Sequence, residues 1–342
     1  EAENTANRLI AAECFLLLGN LLGNTGDISG AGRLFDLTIA ATRRPVKGRM
    51  AKQLNLRLDA ARGLISLDRG EEAIACLDEC EKSAASIIHD SLSGAIVHAN
   101  FLAALARSYA AAGLIDKAVI IADRVHGSDS DGSIYAEIAV LASLSGIKKG
   151  IPPLFRKAVR KAKELYNPGL TARALTGIAE SFIQLGNTFK AGNLLRKAMV
   201  IVGQELDESD YKEKITLLSK VVTVYLLMDK ITEALECACE IDDASSRTMA
   251  LLETGKHSLS AGHVRFLKTL LPHVEDSVRQ ILRAREQALL LVETGILHSA
   301  LENREKAREL IVRAYSLALK NRKKNLILGR MAANLLELSL KV

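Results

Sequence analysis

Residues 105–118 read LARSYAAAGLIDKA, and this segment decides the fold. It holds two apolar runs with helical spacing, which meet at Gly113. Ala106 and Tyr109 precede this glycine by seven and four positions, and Ala118 follows it by five. Residues at such spacings lie on one stripe of a helix, and a helix often ends on a glycine in the left-handed conformation. The segment therefore predicts two antiparallel helices joined at Gly113.

This turn-and-pack signature recurs eight times along the chain. Its anchors, one turn residue in each copy, are Gly26, Asp68, Gly113, Gly146, Gly186, Asp229, Gly262 and Glu302. Separations of 45, 33 and 40 residues are followed by 43, 33 and 40, which gives an internal superperiod of about 116 residues over 68–185 and 186–301. Periods of this size predict a solenoid, because one hairpin cannot bury its own apolar face and must stack on its neighbours.

Small residues occupy equivalent positions around the anchors. Seven positions before them stand Gly19, Ala61, Ala106, Ala139, Ala179, Gly255 and Gly295, with Val222 as the exception. Five positions after them stand Ala31, Ala73, Ala118, Ala191, Ala234 and Ala307, while Ile151 and Leu267 depart from the pattern. Small side chains at these positions let two helix backbones approach closely.

Three segments, LARSYAAAGLIDKA (105–118), IAESFIQLGNTFKA (178–191) and TGILHSALENREKA (294–307), resemble the tetratricopeptide repeat. That family repeats a 34-residue antiparallel helix pair. The resemblance spans residues 4–320, although the family's Trp and terminal Pro are missing and most units are 40–45 residues long. It implies an all-α, right-handed α-solenoid of about eight antiparallel helical hairpins, which we expect to form one domain over residues 1–342. A final helix near 323–341 would cap the stack.

Composition agrees with a soluble helical array. Hydrophobic residues make up 49% of the chain, aromatic residues only 4%, and Trp is absent, so Ala, Leu, Ile and Val supply the packing. No apolar run reaches the roughly 18 residues of a membrane span. Five cysteines, an odd number within helical patterns, favour a reducing cytoplasm over a disulfide framework. The opening segment EAENTANRLI lacks an initiating Met, a basic region and an apolar core, which predicts a trimmed fragment rather than a signal peptide.

The sequence contains no motif typical of catalysis or of a cofactor site. It has no Gly-rich run ending in Lys-Ser/Thr, no His-Glu-x-x-His and no Cys-x-x-Cys, and residues 23–32 are better interpreted as a hairpin turn. The pairs Cys76/Cys80 and Cys237/Cys239 have poor spacing for zinc without nearby histidines. His298 takes the aromatic position of its hairpin, which favours a packing role. We therefore expect neither an enzyme nor a cofactor or metal site.

Binding is the expected activity. In solenoids of helix pairs, the first helix of each pair lines the concave face. The polar residues that we predict on this face are Asn20, Arg62, Asn100, Arg107, Glu137, Arg173, Glu180, Lys220 and Lys256. Their mixed charges suit a polar peptide or a partner helix, which predicts a protein–protein interaction scaffold.

Positive charge offers an alternative. The net charge is +6, and residues 151–342 carry 30 Lys/Arg against 22 Asp/Glu. The basic patch comprises Arg156, Lys157, Arg160, Lys161, Lys163, Lys320, Arg322, Lys323 and Lys324. Such residues either solvate the back of a helix or contact nucleic-acid phosphates, and the scarcity of aromatic residues argues against stacking on single strands. A third alternative is the regulatory arm of a longer protein.

Overall fold

The computed structural model of the protein is mainly helical in the part of the chain that it describes. That part comprises residues 2–44, 49–84, 87, 92–125, 132–147, 150–206, 208–320, 325, 328–329 and 331–332. It forms sixteen α-helices and one 3-10 turn, Glu208–Asp210, and contains no strand. The predicted all-α class is therefore confirmed.

Two compact units make up the chain, Glu1–Asn187 and Thr188–Val342. Unit 1 contains α1 Ala2–Thr25, α2 Ile28–Thr42, α3 Met50–Ser66, α4 Gly70–Ala84, α5 Leu92–Ala111, α6 Ile115–Ala122, α7 Ile134–Leu144, α8 Ile151–Glu164 and α9 Pro168–Gln184. Unit 2 contains α10 Thr188–Gln204, α11 Tyr211–Leu227, α12 Ile231–Cys239, α13 Ala244–Ser260, α14 Val264–Arg279, α15 Ala284–Ala300 and α16 Arg304–Leu319. The boundary between the units falls two residues after the boundary between the predicted superperiods. The expectation of a single domain over 1–342 stays a prediction, as does the handedness.

Each of the eight predicted anchors follows the end of a helix and adopts the left-handed conformation. Their φ angles lie between 56° and 90°, including the three anchors that are not glycine, Asp68, Asp229 and Glu302. The amide after each anchor donates to the carbonyl four residues before it, at 2.8–3.0 Å, as in Arg69 N–H to Leu64 O. This bond completes a Schellman motif, which satisfies carbonyls that the helix end would otherwise leave unpaired.

The first helices of the hairpins form one layer within each unit. In unit 1, α1, α3, α5, α7 and α9 pack side by side, and each second helix also contacts the first helix of the next hairpin. In unit 2, α11, α13 and α15 form the equivalent layer. We call the two kinds of element first helices and second helices below.

The small position seven residues before each anchor is needed for this packing. A β-carbon on Gly19 would lie 2.8 Å from the ring of Phe35, and one on Gly255 would lie 2.7 Å from Cδ1 of Leu297. Both distances are shorter than a carbon–carbon contact allows. The predicted role of small residues is therefore confirmed where the glycines stand.

Two departures from the repeat have local explanations. Eleven residues before the other anchors stands a large apolar side chain, but Arg57 takes this position in its hairpin. Arg57 is buried, and its guanidinium donates to the carbonyl oxygen of Thr42 at 2.5 Å. Ile151 departs from the alanine position because α8 begins only there, after Gly150 with a φ of 95°. The two prolines that follow, Pro152 and Pro153, fit the first turn of α8, where a missing N–H costs no hydrogen bond.

The predicted C-terminal helix is described at a few positions only. Asn325, Leu328, Gly329, Met331 and Ala332 are helical, and the rest of 323–341 lies outside the described residues. Met331 is buried. None of the helices that the structure describes combines the length and the apolar character needed to cross a membrane.

Candidate binding face

The predicted groove residues lie on the layer of first helices, and in unit 1 three of them, together with Asp59, form a chain of charges across α3, α5 and α7. The first link is Arg62 on α3. Its Nε donates to Ser108 Oγ at 3.0 Å, its Nη2 donates to the Ala104 carbonyl at 3.2 Å, and its Nη1 lies 3.2 Å from Asp59 Oδ1. Arg62 thus joins its own helix to α5.

Arg107 on α5 makes the second link. Its guanidinium donates from Nε to Glu137 Oε2 and from Nη2 to Oε1 of the same carboxylate, the latter at 3.3 Å. Ser133 Oγ also donates to Glu137 Oε1, at 3.2 Å. The side chains of Arg107 and Glu137 are each about one-third exposed. Two arginines in the middle and two carboxylates at the ends therefore cross three neighbouring helices, and we call Asp59, Arg62, Arg107 and Glu137 the charged row.

The charged row is partly dehydrated. Desolvation by the surrounding protein raises the pKa of Asp59, although Arg62 opposes this shift. Desolvation also lowers the pKa of Arg62, which Asp59 raises in part and Arg107 lowers further. Charges in such surroundings interact more strongly than charges in open water, both with each other and with a ligand.

The other predicted groove residues of unit 1 lie outside this cluster. Asn20 on α1 and Asn100 on α5 are exposed, whereas Arg173 and Glu180 on α9 are half-buried. The structure therefore brings together three of the predicted residues, Arg62, Arg107 and Glu137. Asp59 completes the row.

In unit 2 the corresponding face is more open. Lys256 Nζ on α13 lies 2.8 Å from Glu293 Oε2 on α15, and the Lys256 side chain is 58% exposed. Thr223 Oγ1 on α11 donates to Glu253 Oε1 at 3.4 Å, and Lys220 on the same helix is exposed.

The basic patch on α8 is partly neutralised by carboxylates of the same unit. Lys157 Nζ lies 2.5 Å from Asp123 Oδ1 and 4.7 Å from the centre of the Tyr135 ring. Lys161 and Arg160 both pair with Glu164, at 3.1 and 3.7 Å.

The remaining members of the patch are described only in part. Arg156 and Lys163 are exposed and form no ion pair with the described residues, and Lys320 is exposed at the end of α16. Arg322, Lys323 and Lys324 lie outside the described residues. Contact with nucleic acid stays a prediction.

Sequence reasoning missed a second kind of polar contact, between successive second helices. Asp78 Oδ1 on α4 accepts from the Tyr109 hydroxyl at 2.8 Å and from Lys117 Nζ on α6 at 2.6 Å. In unit 2, His298 is buried as expected for the aromatic position, and its Nε2 lies 3.0 Å from Glu275 Oε1. A signal existed, since all three family-like segments carry a lysine four residues after the anchor, at Lys117, Lys190 and Lys306.

The cysteines are free thiols, and Cys76, Cys80 and Cys237 are buried in second helices. Within the described ranges, no three His, Cys, Asp or Glu side chains come close enough together to hold a metal ion. The chemistry that these faces offer is hydrogen bonding and charge pairing.

Repeated Schellman turns and layered first helices define an all-α protein of TPR-like helical hairpins. Solved structures that this chain matches include the apo quorum sensor NprR from B. thuringiensis (14% identity, 97% of this chain and 98% of that one, TM-score 0.33). A Rap protein complexed with Competence and Sporulation Factor matches at 15% identity over 96% of this chain and 100% of that one, with a TM-score of 0.30. A putative kinesin light chain of Podosopora anserina with nearly identical TPR-like repeats matches at 15% identity over 80% and 98%, with a TM-score of 0.33.

No protein-family model matches the sequence, and no curated protein does. The assignment to TPR-like hairpins rests on the turns and layers described above.

Proposed function

We propose that this protein is a non-enzymatic scaffold that binds a peptide or a partner helix along the layer of first helices. The charged row is the observation that supports this proposal. It crosses three helices, carries both signs of charge and stays about one-third to one-half exposed while its surroundings desolvate it. A surface of this kind favours an extended polar ligand over a small neutral one.

The ligand would compete for contacts that the row now makes internally. A peptide carboxylate suits Arg62 and Arg107, because guanidinium groups bind carboxylates in a bidentate manner. A basic side chain suits Asp59 or Glu137. In unit 2, Lys256 and Glu293 repeat this pairing with greater exposure.

Peptide display on the full chain tests the proposal. Peptides enriched by selection would be synthesised and their affinity measured by fluorescence anisotropy. We expect Arg62→Gln with Arg107→Gln to weaken binding at least about tenfold, because hydrogen bonds to charged groups contribute roughly 1.5–3 kcal/mol each. Lys256→Gln, at an exposed position, is the milder variant and would show whether unit 2 also contributes.

Arg265→Gln with Arg313→Gln is the matched control, because both arginines are exposed on second helices. The control should bind like the wild type, and circular dichroism should show that all variants remain folded. Failure to enrich any peptide, or equal affinity of the charged-row variant and the control, would overturn the proposal.

A further inference from the structure

Polar clusters join successive second helices at two places that the charged row does not touch. Asp78 binds the Tyr109 hydroxyl and Lys117, whose Nζ also lies 4.5 Å from the centre of the Tyr109 ring. In the second cluster, Glu275 contacts His298 at 3.0 Å and Lys306 at 3.5 Å. Both clusters consist of an acid on one second helix, a ring on the following first helix and a lysine on the next second helix. We call them acid–ring–lysine clusters.

Hairpin α11/α12 has the same three positions but reversed charges. Tyr225 lies 116 residues after Tyr109, Glu233 lies 116 residues after Lys117, and Arg196 has the position of Asp78 relative to its anchor. By analogy with Asp78 and Lys117, Arg196 and Glu233 would be expected to pair. They form no ion pair in the described part of unit 2. Glu233 instead pairs with Lys230 on its own hairpin at 2.7 Å, and Arg196 donates to Asn193.

A cavity of about 500 Å³ is lined by both of these side chains. Its lining includes Phe189, Gly192, Arg196, Tyr225, Lys230 and Glu233. This volume falls in the range of small-molecule sites. Phe189 is 77% exposed, so an apolar surface borders the charged groups.

Tyr225 supplies a hydrogen-bond donor to the cavity. The residue is only 6% exposed and lines the cavity, and its hydroxyl has no hydrogen-bond partner among the described residues. The hydroxyl oxygen is not sealed off from solvent, so a ligand in the cavity can accept its hydrogen bond. Desolvation, together with nearby Cys237 and Glu233, raises the pKa of Tyr225 to about 12, so the hydroxyl remains a donor at neutral pH.

We propose that this cavity binds an organic anion that carries a carboxylate on an apolar or aromatic group. The carboxylate accepts hydrogen bonds from Arg196 and from the Tyr225 hydroxyl, and the apolar part lies against Phe189. Lys230 is neutralised by Glu233, which leaves Arg196 as the cation that selects the anion. The same chemistry is offered by a small aromatic acid and by an acidic side chain beside an aromatic one in a peptide.

This site is independent of the charged row, because the two share no residue. Titration of the full chain, followed by ligand-observed NMR, would use 3-phenylpropionate and N-acetyl-Asp-Phe-amide as the two probes. We expect Arg196→Gln to weaken binding about tenfold or more, and Tyr225→Phe to weaken it severalfold. Arg265→Gln, at an exposed arginine elsewhere in unit 2, should leave the affinity unchanged. Binding of the acid alone identifies a small-molecule site, and binding of the peptide alone identifies a peptide site.

A double variant separates binding from folding. Arg196→Asp with Glu233→Lys rebuilds the cluster of Asp78, Tyr109 and Lys117, so we expect it to abolish binding without lowering the thermal midpoint. Three outcomes would overturn the proposal. They are no binding of either probe to the wild type, unchanged affinity in Arg196→Gln, and binding of 3-phenylpropanamide as strong as that of the acid.

Discussion

At the scale of single residues, eight backbone angles decide where the first helices end. Five of the anchors are glycines, for which a positive φ carries little cost. The other three, Asp68, Asp229 and Glu302, adopt the same conformation with a β-carbon present, at φ angles of 58°, 56° and 62°. Because such a residue carries strain of about 1–2 kcal/mol, the hairpin turns must be imposed by the packing of the helices on both sides.

Replacing a strained anchor with glycine should therefore stabilise the protein. We expect Glu302→Gly to raise the free energy of unfolding by about 1 kcal/mol, since the relief of strain exceeds the greater freedom of glycine in the unfolded chain. Gly113→Ala is the matched control. Its φ is 81° and an added β-carbon would meet open space, so it should lose about 1 kcal/mol through the backbone alone. Urea unfolding at an unchanged m-value measures both, and a less stable Glu302→Gly would contradict the prediction.

The anchors could be predicted because a left-handed turn leaves its mark in residues that are close in sequence. Gly113, Tyr109 and Ala118 fall within one fourteen-residue segment. The partner of Arg57 could not be predicted in this way. Thr42 lies on the preceding hairpin, and the position of its carbonyl depends on how α2 packs against α3.

At the scale of helices, neighbouring hairpins are joined by polar contacts whose partners are distant in sequence. Arg62 reaches Ser108 on α5, and Lys157 reaches Asp123, the residue that caps the end of α6. Helical periodicity indicates which face of a helix a charged residue occupies, so the exposure of that residue could be predicted from the sequence. The pairs themselves could not, because a small rotation of either helix would exchange one partner for another. The ion pair between Lys157 on α8 and Asp123 is of this kind.

The contact between Asp78 and Lys117 predicts an acid-sensitive link between α4 and α6. Hydrogen bonds from Lys117 and then from Tyr109 hold the pKa of Asp78 below its usual range. Because the folded value is below the unfolded value of about 3.9, the contribution to stability is complete above that pH and is lost as the pH falls through the folded value. We expect Asp78→Asn to be about 0.5–1 kcal/mol less stable than the wild type at pH 6.

This difference should shrink towards zero near pH 2, as the wild-type carboxylate also becomes neutral. Urea unfolding at a series of pH values measures it. Asp242→Asn, at an exposed position before α13, provides the control and should leave the profile unchanged. An Asp78→Asn defect of the same size at every pH would show that the charge of this carboxylate does not stabilise the contact.

At the scale of the whole molecule, stability should be local. Within each unit, the elements that pack together belong to the same hairpin or to the next one along the chain. In repeat proteins of this kind the free energy is approximately a sum of terms for each repeat and for each interface between neighbours. A defect in one hairpin is therefore expected to loosen its neighbours and to leave distant hairpins unaffected.

Two leucines at equivalent positions, eleven residues before their anchors, test this expectation. Leu102 on α5 and Leu291 on α15 are 1% and 2% exposed, so truncation to alanine should cost about 2–5 kcal/mol at either site. In hydrogen-exchange mass spectrometry, Leu102→Ala should accelerate exchange in α3 to α7 and leave α13 to α16 at wild-type rates. Leu291→Ala should give the opposite pattern, which makes each variant the control for the other. Equal acceleration over all helices in either variant would contradict the prediction. It would mean that the protein opens as one cooperative body, because only then does a cavity in α5 increase hydrogen exchange in α16.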